Sequence, residues 1–202
     1  LAAVVDGPFP GGWAASAASL DEAGKLLPHR STSVGRCRMG LFGNRWLHTQ
    51  AVAEQAREAS PAVPGGSDFL VAAAWLHDIG YAPELRHTSF HPLDGARHLE
   101  SLGAPRRLVC LVAHHSGAVY EAEQRGLVAE FEACEREGSP LLDALIYSDM
   151  TTGPAGQRFD FDRRVDEILV RYEPGSEVHT AISKARPYLG AEVERTRARL
   201  GG

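Results

Sequence analysis

The chain has 202 residues, with 26 acidic and 21 basic side chains and a formal net charge of −5. That length suits one domain with extra elements and can bury a core without disulfides or a structural metal. Interspersed charge argues against a duplex nucleic-acid binder. Three cysteines, Cys37, Cys110 and Cys134, with no CxxC spacing, argue against a disulfide framework or a thiolate zinc site, so a reducing cytoplasm is the expected setting.

Residues 1 to about 40 read as a separate arm, partly irregular, broken by Pro8, Pro10, Gly11 and Gly12. Ser19-Leu-Asp-Glu22 is a capping-box pattern that opens a short helix ending near Pro28. The N-terminus lacks a basic segment before its apolar residues, so it does not read as a signal peptide. Arg45 to Ala59 is helix-compatible, with Ala51, Val52 and Gln55 around His48. Pro61-Ala-Val-Pro-Gly-Gly66 breaks it, and Ser67 is the expected N-cap of a helix to Asp78, with Gly80 as terminator. The longest apolar run, Phe69 to Leu76, is far short of the ~20 residues that cross a bilayer, so no membrane association is expected.

Tyr81 to Phe90 reads as a loop. His91-Pro92 opens a helix to Leu102, with proline in the first turn where it is favoured. Pro105 to Ser116 is the next helix, stopped by Gly117. Ala118 to Gly138 is charged and mixed, with a short helix, a turn at Gly126 and a second short helix. Pro140 to Asp149 places Leu141, Leu142, Leu145 and Ile146 on one face. After the loop Thr151-Thr-Gly-Pro-Ala-Gly156, Arg163 to Tyr172 and Ser176 to Leu200 read as helices, the last charged and surface-like. No alternating strand pattern or internal repeat occurs, and the expected class is all-α.

Three of these helices end in metal-type side chains. His77-Asp78 closes the apolar run Ala72-Ala-Ala-Trp-Leu-His-Asp-Ile-Gly80, His114-His115 closes Leu108-Val-Cys-Leu-Val-Ala-His-His115, and Asp149 closes Leu141 to Tyr147. A carboxylate at the end of a buried helix is costly unless it is paired or bound to a metal. His48 and His91 are further candidates. His29, His98 and His179 are read as ordinary residues, and His87 is left open. The convergence points to a metal site in the middle of a helical bundle.

The order His…His-Asp…His…His-His…Asp resembles the HD-domain superfamily over about residues 44 to 150. Leu76-His-Asp-Ile-Gly80 is similar to the family's doublet motif. His91-Pro-Leu-Asp-Gly-Ala96 and Val112-Ala-His-His115 are similar to the segments that supply second-metal ligands in its binuclear branches. The resemblance implies an HD domain of about five core helices within residues 41–202, extended by C-terminal helices. It implies two divalent ions (Mn, Mg, Fe, Co or Ni). His48, His77, Asp78 and Asp149 would hold the first. Asp78, His91, His114 and His115 would hold the second, with the bridging Asp78 at the centre of catalysis. Ser116-Gly-Ala-Val-Tyr120 departs from the Gly-Tyr-Pro that marks the cyclic-dinucleotide phosphodiesterases. Tyr81 stands where many members carry lysine. Asn44 stands where a trimetal branch has glutamate, which favours two metals.

The expected function is metal-dependent hydrolysis of a phosphomonoester or phosphodiester of a nucleotide or similar small molecule by a metal-activated water. Some members of the superfamily instead hold two irons and oxidise small anionic substrates with dioxygen, and a metal-binding module without turnover is a third reading. Arg45, Arg86, Arg125 and Arg158 are cations in or near loops, each more readily a solvated surface residue than a phosphate ligand. Tyr81 reads equally as a cover or hydrogen-bond donor at the site or as packing, Thr151 and Thr152 as shaping the pocket or capping a turn, and Ser116 as a helix-end hydrogen-bonder without nucleophile context. No residue is singled out for substrate binding, and the oligomeric state is not set by sequence.

Overall fold

The computed structural model describes residues 39–201. The expected arm therefore lies outside the described residues, apart from its last two positions, which are already helical. The described chain is helical, with no strand among the described residues beyond a single bridge between Thr152 and Arg158.

Two helices form the centre. α1 spans Met39–Ala59 and α2 spans Ser67–Leu76. Every α2 residue from Phe69 to Leu76 is buried, so the helix needs apolar neighbours on all sides. It packs on α1, on α4 (Arg106–His114) and on α7 (Pro140–Met150). α7 is also largely enclosed, with Leu141, Leu142, Ala144, Leu145 and Ile146 at or near zero exposure. Full burial of each such large side chain stabilises by roughly 1.5–3 kcal/mol. Ser139 caps α7 by accepting from the N–H groups of Leu141 and Leu142, and Pro140 fills the first turn, where no N–H is required.

α3 (His91–Ser101) opens with Pro92 in its first turn and pairs with α4. The short helices α5 (Ala118–Arg125) and α6 (Val128–Phe131) are separated at Gly126, which adopts φ +67°. α8 (Phe161–Arg171) starts from Asp160, whose carboxylate accepts the Arg163 N–H. α9 (Glu177–Leu200) starts from Ser176.

α9 corrects one expectation. It is charged in sequence but packs along α7 and α5, burying Ala181, Ile182, Ala185, Leu189 and Val193. Its buried stripe is interrupted by Glu192 and Thr196, which hides the amphipathic period. Among the described residues, no helix is long and apolar enough to cross a membrane.

The doublet turn is also tighter than expected. α2 stops at Leu76, so His77 and Asp78 lie just past its end and lead into a 3-10 turn, Ile79–Tyr81. Gly80 is required by proximity and not by a left-handed backbone. A Cβ there would lie 2.0 Å from the His91 carbonyl oxygen and 2.7 Å from the Gly95 nitrogen. Only glycine lets this turn rest directly on the start of α3, which brings His91 beside Asp78.

Candidate metal centre

The site lies where α1, α2, α3, α4 and α7 meet. α1 carries His48, whose Nδ1 lies 3.0 Å from the Gly153 carbonyl. His77 places Nδ1 2.7 Å from the Ala74 carbonyl, and His115 places Nδ1 2.6 Å from the Val112 carbonyl. A carbonyl oxygen can only accept, so each Nδ1 carries the hydrogen and each ring is turned with Nε2 inward. Such backbone anchoring fixes imidazole orientation at metal sites.

Four Nε2 atoms surround Asp78, and its two oxygens divide them. Oδ2 lies 3.4 Å from His77 Nε2 and 3.9 Å from His48 Nε2. Oδ1 lies 3.4 Å from His91 Nε2 and 3.9 Å from His115 Nε2. Two ligand groups result, His48–His77–Asp78 and Asp78–His91–His115, sharing one carboxylate. Within the second, the two Nε2 atoms are 3.1 Å apart. Two nitrogens held about 2.1 Å from one ion at right angles would be separated by about 3 Å.

Asp149 lies beside the first group. Its Oδ1 lies 3.1 Å from His48 Nε2, and its Oδ2 accepts a short hydrogen bond from Ser116 Oγ. Ser116 sits at φ +53°, a left-handed conformation uncommon outside glycine and asparagine, at the turn where α4 ends. The turn delivers both the Ser116 hydroxyl and the His115 ring to the cluster.

The donors fit divalent metals. His77 Nε2 is fully buried and finds no hydrogen-bond partner, a costly arrangement that a coordinated ion resolves. Burial opposes charging His77, yet Asp78 beside it raises the imidazole to about 9, so a proton competes with a metal for that lone pair. Burial keeps His91 and His115 below the ordinary histidine range, hence neutral and able to coordinate. Burial would push Asp78 up, but His77 and Arg45 hold it well below the carboxylate range. Asp149 is likewise held down despite its burial, chiefly by His48 and His77.

His114 is not brought into this cluster, which corrects the expected second-metal set. His114 closes α4, whereas His115 lies just past the helix end on extended backbone, and the two rings point different ways. His114 turns outward, with Nε2 2.7 Å from the Cys134 carbonyl and its ring edge-on to Phe131 at 4.5 Å. Of the four candidate cations, Arg45 alone reaches the cluster, donating to Asp78 Oδ2 at 2.7 Å. Arg86 bonds the Tyr81 carbonyl, Arg125 pairs with Glu121 and Glu177, and Arg158 pairs with Glu58. Thr151 and Thr152 donate back to the Tyr147 and Ser148 carbonyls, the turn-capping alternative. Tyr81 stacks on His91 with ring centres 4.0 Å apart, under the Arg45 guanidinium. Arg164, which no sequence signal distinguished, lies 3.9 Å from Asp149.

The sequence pattern of the HD domain matches residues 45–148, just over half of the chain. That stretch holds His48, the doublet, His91 and His115 and stops one residue short of Asp149. HD domains are all-α and bind divalent metals, and their superfamily is generally one of metal-dependent hydrolases. No curated protein and no solved structure matches the chain. With its helical bundle and its His-Asp doublet at the centre of converging imidazoles, the chain belongs to the HD-domain family.

Proposed function

We propose that the protein is a metal-dependent phosphohydrolase with a binuclear site. His48, His77, Asp78 and Asp149 would hold one divalent ion; Asp78, His91 and His115 would hold the other. The observation that carries this reading is the division of Asp78, with each carboxylate oxygen facing its own pair of Nε2 atoms. Bound there, a pair of divalent ions supplies neutralisation of phosphoryl charge and acidification of water.

The chain's own residues supply order. The carbonyls of Gly153, Ala74 and Val112 fix three imidazoles in one tautomer and direction. Ser116 orients Asp149, and Tyr81 stacks flat on His91 and limits its rotation. Such pre-set geometry removes reorganisation from the reaction itself. In the net reaction the water oxygen bonds to phosphorus, the ester P–O bond breaks, and the departing alkoxide takes a proton from water. No serine or cysteine nucleophile is required: the Ser116 hydroxyl is committed to Asp149.

The test is metal quantification after anaerobic purification, followed by phosphate-release assays with Mn, Mg, Co or Ni. About two ions per chain and metal-dependent phosphate release are expected. Dioxygen consumption by a two-iron protein inert to phosphate esters would contradict the reading.

A further inference from the structure

α8 lies beyond the stretch that matches the HD domain, yet it forms one wall of the pocket over the metal ligands. Three arginines line that pocket, Arg45, Arg164 and Arg171, against three carboxylates, Asp78, Glu121 and Asp149. The charged side chains thus balance before any metal is counted. Two divalent cations would leave a strong positive surplus, which only an anionic ligand can neutralise.

Arg164 is the distinctive member. Its side chain is only 7% exposed, and its Nε is buried with no hydrogen-bond partner. One terminal nitrogen donates to Glu167 at 2.6 Å, and the other lies 3.9 Å from Asp149 Oδ1. Arg171 binds the same Glu167 through Nε at 3.0 Å and a terminal nitrogen at 2.6 Å, with 38% of its side chain exposed. Glu167 therefore ties two guanidinium groups and offsets only one of their charges. The unmatched N–H belongs to a guanidinium that lines the pocket and lies 3.9 Å from Asp149.

Size narrows the ligand. The cavity is about 80 Å³, against roughly 300 Å³ or more for pockets that engulf a drug-sized molecule. It is sized to enclose a phosphoryl group, and a second cavity of about 310 Å³ is lined by the same Arg45, His48, Arg164 and Arg171. Met150, Ile168 and Ile182 supply an apolar wall beside it. A terminal phosphoryl group keeps three free oxygens and two charges, enough to face the Asp78 cluster and an arginine together. A diester keeps two free oxygens and one charge.

We infer that α8 supplies the substrate's phosphate site, with Arg164 binding a terminal oxygen from inside and Arg171 from the mouth. The substrate is a phosphomonoester whose organic part rests on Met150, Ile168 and Ile182. This inference rests on the hydrolase reading and deepens it.

The experiment is calorimetric titration of inorganic phosphate, phenyl phosphate and diphenyl phosphate into the metal-loaded protein, with metal content measured on each sample. The wild type should bind phosphate and prefer phenyl phosphate to diphenyl phosphate. Arg164→Gln should keep its metal but weaken phosphate binding about 10- to 100-fold, the range for losing a charge-assisted hydrogen bond. Arg164→Lys should recover only part of the loss, because a point charge lacks the planar fork. Arg171→Gln, at a more exposed position, should weaken binding several-fold, and it serves as the second variant if Arg164→Gln does not fold. Undiminished phosphate affinity in the arginine variants, or a wild-type preference for the diester, would overturn the phosphate site while leaving the hydrolase reading intact. A metal-loaded wild type that binds no phosphate would also overturn the phosphate site, whereas only the absence of metal-dependent phosphate release would remove the hydrolase reading itself.

Discussion

α7 carries two buried aspartates six residues apart, and they meet opposite surroundings. Asp143 near its start is gripped by Arg195 at 2.7 and 2.9 Å and by Arg199 at 2.7 Å. Asp149 near its end meets an imidazole, a hydroxyl and, at 3.9 Å, the edge of Arg164. Both carboxylates are almost hidden from solvent. The first is satisfied by direct ion pairs that tie α9 to α7. The second faces the His48 imidazole, a group that coordinates metals as readily as it hydrogen-bonds. A buried acid is thus a structural tie or a ligand according to what converges on it.

The sharpest way to break this comparison is at the shared ligand. Asp78→Ala removes the carboxylate common to both groups, and it should lose bound metal and phosphatase activity together while remaining helical. Metal analysis with circular dichroism checks this, and undiminished metal would refute the bridging role.

Next in size is Gly80→Ala. Its methyl would collide with the backbone of His91 and Gly95, which cannot yield as a flexible side chain would. We expect a loss of about 3 kcal/mol or more in denaturant unfolding, and weakened metal binding through displacement of His91.

Asp143→Asn tests the structural side. Its arginine partners are 48% and 32% exposed, so solvent screening limits the expected loss to about 1 kcal/mol, with metal content unchanged. Burial would raise the Asp143 pKa, but Arg195 and Arg199 hold it below the ordinary carboxylate range. Its native value therefore lies below the unfolded value of about 3.9. The stabilisation is fully present above that pH and is lost as pH falls through the native value. Unfolding curves should show the gap between wild type and variant narrowing as pH drops from about 6 to about 3. A gap that widens would contradict the ion-pair account.

The smallest effect belongs to His114→Ala. It removes a hydrogen bond to the Cys134 carbonyl and packing on Phe131, worth about 1–2 kcal/mol in thermal or denaturant unfolding. Metal stoichiometry should not change. His115→Ala, one residue on, should lose metal from the second group.

Much of this was readable in the chain because particular residues have one physical outcome. The apolar runs of α2 and α7 must be buried, Pro140 and His91-Pro92 mark helix starts, and His-Asp after an enclosed helix cannot remain unpaired. What stayed hidden depends on rotation and on distant contacts. Which of His114 and His115 faces the cluster depends on where α4 ends, and sequence order does not carry it. The burial of α9 was obscured by Glu192 and Thr196 inside its apolar stripe. Gly80 read as a helix terminator, whereas its necessity comes from the carbonyl of His91 across the turn. Arg164 resembles any arginine of a charged helix until α8 is packed against the ligands.

Anomalous diffraction from crystals grown with manganese tests the central claim most directly. Two peaks are expected, one among His48, His77, Asp78 and Asp149, the other among Asp78, His91 and His115, with the Asp78 carboxylate between them. No peak at Asp78, or an ion held at His114 in place of His115, would contradict the assignment.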